Sequence, residues 1–257
     1  MDSTPDESIA VLDPTGSPAL QELAERLELP VIEAAEAAAV DLVLLHHAGR
    51  LSLRKTGGGA PVAVDFEGLG RGGRTGGRTR PLLCRAVGLD RGVKRVVDAT
   101  AGLGRDAFTL AAWGAEIVLV ERSPILHALL EDGLRRAADV PAVARMTLVR
   151  ADARIWLRGG EPPDAVFVDP MFEDRGKAAL PGWELQVLRA LLGPGEDEIA
   201  ELIDAARAVA TRRVVVKRPA HGKLPGAKPD ASYVGGRIRY EVFTPRSDRG
   251  PRNATET

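Results

Sequence analysis

Four carboxylates in this chain stand where a short apolar run stops. Asp98 closes RVVD, Glu121 closes EIVLVE, Asp152 follows TLVRA, and Asp169 closes DAVFVD. Runs of this length and composition read as buried strands. Parallel strands would therefore deliver all four acids to one edge of a sheet. After the first acid comes TAGLGRDAF, which opens a helix. Gly102 and Gly104 let the backbone pass close to a ligand, and the helix start offers unpaired N–H groups. Gly102, Gly104 and Ala107 fit the G-x-G-x-x-G/A fingerprint, and Glu121 stands 19 residues after Gly102, where an acid that holds a ribose is expected. This motif alone serves nicotinamide enzymes and methyltransferases equally.

The remaining acids separate the two. Asp98, four residues before Gly102, is placed to face a cationic methionine moiety, as in enzymes that use S-adenosylmethionine (SAM). Glu121 suits the ribose hydroxyls in either class. Asp152, at the end of the third strand, is where SAM enzymes meet the adenine edge. The fourth acid opens Asp169-Pro170-Met171-Phe172. In amino-directed methyltransferases an acid or amide here accepts hydrogen bonds from an exocyclic NH₂. Proline fixes the turn, and an aromatic ring stacks on the base. Asp169 is the expected catalytic acceptor, with Pro170 and Phe172 as substrate contacts.

These residues need elements to carry them. From about residue 85, apolar strands alternate with amphipathic helices, the mark of an α/β sheet covered on both faces. RVVVKRP supplies a fifth strand, with Lys217 and Arg218 at its end as candidate phosphate ligands, and RIRYEVF (237–243) a last one. WELQVLRALLG and EDEIAELIDAARAVATR read as helices. Ahead of this lies a small α+β lobe, residues 1–67. It comprises strand IAVLD, a helix with Ser17 as N-cap, two strands about a tight turn at Ala48-Gly49, and a strand VAVDF (62–66). Residues 68–84 form a Gly/Arg-rich linker or RNA-binding arm, 85–245 the catalytic domain, and 246–257 a tail. His46 and His47 lack any ligand pattern around them.

Net charge is −1 over 257 residues, which favours no polyanion by itself. Its distribution does, because residues 50–95 and 212–239 are both rich in arginine and lysine. The single cysteine, Cys84, excludes an internal disulfide and a cysteine-rich metal site. No run approaches a membrane span and no signal peptide is visible, so a cytoplasmic protein is expected.

VVDATAGLGRDAF, ERSP, LLEDGLRRA, VFVDPMF and RVVVKRP, in this order and spacing, resemble the RsmJ family. Those are SAM-dependent methyltransferases of bacterial 16S ribosomal RNA that modify a guanine at N2. The resemblance implies a Rossmann-like class I SAM methyltransferase sheet. It implies cofactor contacts at Arg105-Asp106, Glu121-Arg122, Asp152-Ala153 and Asp169. The partner it implies is 16S ribosomal RNA or the small ribosomal subunit, with no obligate protein partner and no metal. Three places depart from the family pattern. Glu173 stands where a proline is usual, Thr75 at an aromatic position, and Gly182-Trp183 in place of a lysine pair. Two other classes share part of this pattern. A nicotinamide oxidoreductase would share the glycine loop but leaves DPMF unexplained. A non-catalytic RNA-binding protein would use the arginines but not the row of acids.

Overall fold

The computed structural model describes residues 8–34, 39–71, 79–170, 196–220, 224 and 228–246. Two sheets organise them. The smaller has four strands in the order β2-β1-β3-β4: β1 (Ile9–Leu12), β2 (Val31–Ile32), β3 (Leu42–His47) and β4 (Arg50–Lys55). β1 runs parallel to both neighbours, and β3 and β4 form a hairpin. Ala48 and Gly49 turn that hairpin with both φ values positive, at 48° and 74°. This is the turn type whose twist matches the strands it joins. Helix α1 (Pro18–Leu27) buries Leu20, Leu23 and Ala24, one face at helical spacing. Ser17 is its N-cap residue, although its side chain makes no capping bond.

The run VAVDF does not form the expected strand. Only Val62 pairs, in an isolated bridge to Leu53. Asp65 then accepts the Gly68 N–H at 3.0 Å, and Phe66 opens helix α2 (Phe66–Arg71). A side-chain acceptor at a helix start satisfies a backbone donor that an alternating pattern does not reveal. The helix also enters the stretch expected to be linker or arm. At the other end of that stretch, α3 (Leu82–Val87) buries Leu83, Cys84, Ala86 and Val87.

The larger sheet has seven strands: β5 (Arg95–Asp98), β6 (Glu116–Glu121), β7 (Met146–Arg150), β8 (Ala165–Val168), β9 (Arg213–Pro219), β10 (Ala231–Gly235) and β11 (Ile238–Phe243). Their order is β10-β11-β9-β8-β5-β6-β7. The five strands β5 to β9 are mutually parallel, and β11 enters antiparallel beside β9, followed by β10. β10 has no sequence signal, since its mostly exposed ASYVG carries no apolar alternation. Helices α4 (Arg105–Ala112), α5 (Pro124–Arg136), α6 (Ala153–Trp156) and α7 (Glu196–Val209) connect the strands. The helix expected over WELQVLRALLG lies outside the described residues. No helix among the described residues is long and apolar enough to cross a membrane.

Two cores cover the sheet. One face packs on α7 through Val97, Val120, Val166, Val168, Val214, Ile203 and Ala206. The other packs on α3, α4 and α5 and continues without a break into Leu44, Leu53, Val64 and Phe66 of the N-terminal lobe. Phe66 stacks on Phe108 at 5.5 Å between ring centroids. Burying such a ring is worth about 1.5–3 kcal/mol, so α2 is held by packing rather than by its six-residue length. β5 is the branch point, with β6 on one side and β8 on the other. In sheets of this type the crevice above that switch receives the ligand.

Candidate active site

The glycine loop is built from the end of β5. Asp98 is 2% exposed, and one carboxylate oxygen accepts the Thr100 N–H at 3.1 Å. The chain then turns at Gly102 (φ 54°) and Gly104 (φ 71°), and α4 starts at Arg105. A Cβ on Gly104 would lie 2.8 Å from Phe66 Cζ and 3.0 Å from Leu130 Cδ2, so the N-terminal lobe presses on this turn. Glu121, 4% exposed, ties the loop to β6. Its carboxylate accepts the Gly102 N–H at 2.9 Å and the Ser123 N–H at 2.8 Å. Burial raises its pKa, and those two bonds oppose the rise.

Asp152 caps α6 by accepting the Arg154 N–H at 2.9 Å, and the Arg154 guanidinium grips the same carboxylate at 2.6 Å. That grip holds Asp152 below the usual carboxylate range. Arg154 and Arg122 both reach Glu198 of α7, fastening this helix to the rim. One cavity is bounded by these parts. Its walls include Thr100, Gly102, Glu121, Arg122, Asp152, Ala153, Arg154 and Pro170, with Glu198, Ile199 and Leu202 from α7. Sequence reasoning missed Thr100, Arg154 and Glu198. For Arg154 a signal exists: an arginine two residues after an N-cap aspartate.

A second group lies beside that cavity. Val168 pairs with Val216 in the parallel β8–β9 ladder, so Asp169 and Lys217 leave it side by side. Lys217 Nζ donates to Asp169 Oδ2 at 2.7 Å and to Asp106 Oδ2 at 2.6 Å. The Asp169 N–H donates to Thr100 Oγ1 at 2.6 Å, linking β8 to the glycine loop. Burial lifts the Asp169 pKa to about 6 while Lys217 pulls it down. Burial alone would lower Lys217, but the two carboxylates outweigh it and its pKa rises. Burial, with the neighbouring Asp106, Asp169 and Glu121 charges adding to it, pushes Asp98 to about 8.

Other expected positions fall elsewhere. Arg218 does not present a guanidinium to phosphate. It is 9% exposed and donates to Glu241 at 2.9 Å, because the residue after Lys217 faces the opposite side of the sheet. Lys217 likewise is committed to two carboxylates rather than offered outward. Arg105 stands at the exposed start of α4, beside a depression shared with Ala63, Asp65 and Gly68. Phe172, Met171, Glu173, Thr75, Gly182 and Trp183 lie outside the described residues.

Asp106 and Asp169 share Lys217, and Asp98 and Glu121 stand close by, so among the described residues this end of the sheet is rich in acid. A ligand with a sulfonium and an ammonium group would offset it. Glu121, pinned by two backbone donors, keeps lone pairs for a diol. The donor set therefore fits SAM. Fold and site together define a class I SAM-dependent methyltransferase. The family model described as putative SAM-dependent methyltransferase matches residues 22–245. Ribosomal RNA small subunit methyltransferase J of Pseudomonas fluorescens is 41% identical over 247 residues, 91% of this chain and 93% of that protein. Its namesake in Thioalkalivibrio sulfidiphilus is 45% identical, covering 86% and 91%. The chain belongs to the ribosomal RNA small subunit methyltransferase J family. A crystal structure of a SAM-dependent methyltransferase from Neisseria gonorrhoeae superimposes with a TM-score of 0.70 at 29% identity, covering 97% of this chain and 100% of that one.

Proposed function

We propose that the chain methylates the exocyclic N2 of a guanine in 16S ribosomal RNA, with Asp169 orienting the amine. The observation that carries this reading is the placement of Asp169. It leaves the end of β8 next to the glycine loop, with its backbone held by Thr100 and one carboxylate oxygen held by Lys217. The ribosomal RNA named for its relatives and the resemblance of VFVDPMF support the substrate.

SAM supplies a methyl group already activated on sulfur. Asp98 and Asp106 would face its cationic end, Glu121 would take the ribose hydroxyls, and Asp152 with Ala153 would border the adenine. Gly102, Gly104 and Arg122 would complete the cofactor contacts; Arg105, outside that cavity, is assigned to the cofactor by the family resemblance alone. A guanine amine is a weak nucleophile because its lone pair is delocalised into the ring. Asp169 Oδ1 accepts one amine hydrogen and turns the lone pair toward the methyl carbon. With SAM bound, the amine nitrogen would take the methyl group while sulfur keeps the bonding electron pair, and Asp169 or water would take the surplus proton. No covalent enzyme intermediate is needed, and positioning carries much of the rate. A paired guanine must be extruded first, and Pro170 and Phe172 are the residues assigned to receive it. Whether the free RNA or the assembled small subunit is the better substrate follows from the same assay.

Radiolabelled methyl transfer to 16S RNA and to small subunits, both from cells lacking the enzyme, tests this. Label should appear as N2-methylguanine, and Asp169→Ala should abolish it while the protein stays folded. Label at another base, or near-normal turnover by folded Asp169→Ala, overturns the reading.

A further inference from the structure

We propose that Lys217 is a positioning residue for methyl transfer. By bridging Asp106 and Asp169 it fixes the Asp169 carboxylate so that its second oxygen meets the substrate amine. The inference rests on Asp169 being the amine acceptor.

The geometry leaves Lys217 little else to do. Its ammonium lies 2.6 Å from Asp106 and 2.7 Å from Asp169, and its side chain is 21% exposed. A phosphate would have to displace two carboxylates already in hydrogen-bond contact. Each anchor belongs to a different element. Asp106 lies in the first turn of α4, Asp169 follows β8, and Lys217 rises from β9 opposite Tyr240 of β11. The bridge therefore joins the helix that follows the glycine loop to the strand end that carries the acceptor. Thr100 Oγ1 fixes the Asp169 backbone, and Lys217 fixes Oδ2. With Oδ2 held by Lys217, Oδ1 is the oxygen assigned to the amine.

The bridge also sets charge. Among the described residues, Asp106 from α4, Lys217 from β9 and Asp98 from β5 act on Asp169 or are acted on by it, Tyr240 from β11 feels both Asp169 and Lys217, and Cys84 from α3, near Tyr240, lies under the charge of Arg80. Among the described residues, Lys217 is the cation that touches Asp169. Without it the surrounding acids favour protonated Asp169, and a protonated carboxyl is a poorer acceptor. An opposite charge at this distance lowers a carboxyl by about 1–3 pH units.

The test compares Lys217→Met, Lys217→Arg and Asp169→Asn. Calorimetry measures SAM affinity, and initial rates from about pH 5 to 9, a range that spans carboxyl titration, give kcat and the RNA KM. In folded Lys217→Met, kcat should fall by about 10²-fold, the loss that a displaced reacting group produces. SAM affinity should not fall, because the acids around the site lose their partner cation, and RNA KM should stay near wild type. The acid limb of kcat should move up by about one pH unit or more. Lys217→Arg keeps the charge, so its acid limb should stay in place while kcat drops only in part. A raised RNA KM with normal kcat and a weaker salt dependence would make Lys217 a phosphate contact and overturn the inference. So would wild-type kcat with an unmoved acid limb in Lys217→Met, if Asp169→Asn is inactive. An active Asp169→Asn sinks the acceptor reading itself. If Lys217→Met fails to fold, Lys217→Arg decides, because an acid limb displaced with the charge retained is the opposite of what the bridge requires.

Discussion

Asp98 carries an unusual load for one residue. It is buried among carboxylates at the end of β5, with a backbone N–H from Thr100 as its donor. Its carboxyl is pushed to about 8 by burial and those neighbours. A cationic cofactor favours the ionised form, so SAM must displace a proton below that pH. SAM affinity should therefore rise from about pH 6 to about pH 8 and then level off, and Asp98→Asn should bind weakly with a flat profile. Calorimetry across that range, with proton release measured in two buffers, checks this. The stability sign is the reverse. A folded-state pKa above the unfolded one means that ionisation opposes folding above about pH 4, increasingly up to about pH 8. Asp98→Asn should thus melt higher than wild type at about pH 8, by about 2–4 °C for each kcal/mol recovered. The gain should vanish near about pH 4, where both states hold the proton.

At the scale of elements, the glycine loop is shaped from behind as well as by its own residues. Gly104 turns with φ 71° under Phe66 of α2 and Leu130 of α5. Gly104→Ala meets two separate costs. The left-handed backbone disfavours any Cβ by about 1–2 kcal/mol, and the crowded contact adds about 1–3 kcal/mol. We expect a loss of about 2–5 kcal/mol in denaturant unfolding, together with weakened SAM binding. A variant as stable as wild type would show that α2 yields easily. Gly102 has only Thr100 O near a Cβ, at 3.8 Å, so Gly102→Ala should cost less because backbone conformation alone opposes it.

For the whole molecule, the N-terminal lobe and the catalytic sheet share one core, sealed by a buried polar joint. Asp132 of α5 accepts the Leu51 N–H of β4 at 3.1 Å and pairs with Arg136 at 2.8 Å, while Arg136 also donates to the Val64 carbonyl. Asp132→Ala strands a buried donor and a half-buried cation, at a cost of about 3–5 kcal/mol. One calorimetric transition should move down intact. Two separated transitions would show that the lobe unfolds independently. The Gly/Arg segment begins inside α2, and at its far side Arg80 stacks over Trp113 at 5.6 Å. Arg80 therefore has a structural contact, whereas Arg71 is exposed. Replacing Arg71, Arg74 and Arg78 while leaving Arg80 should raise the RNA Kd and leave SAM binding alone. The slope of log K against log salt should shrink by about 0.7 for each phosphate of single-stranded RNA that is no longer neutralised. An unchanged RNA Kd would make the segment a connector.

Much of this protein is written locally. Apolar runs closing on Asp98, Glu121 and Asp169 define strands and their ends, because burial on both faces of a parallel strand demands continuous apolar residues, while the run before Asp152 is the partly exposed edge strand. Glycines at 102 and 104 mark the turn between strand and helix for the same local reason. The small hairpin is legible at Ala48-Gly49, where two positive φ angles are needed. Tertiary structure decides what local pattern cannot carry. α2 replaces an expected strand because Asp65 caps it and Phe66 finds Phe108, 42 residues away in sequence. Lys217 and Arg218 are adjacent and both basic, yet strand alternation sends one to Asp106 and Asp169 and the other to Glu241. Charge and spacing say that a cation stands at a strand end. Only the register of β8 against β9, and of β9 against β11, says which carboxylate it meets.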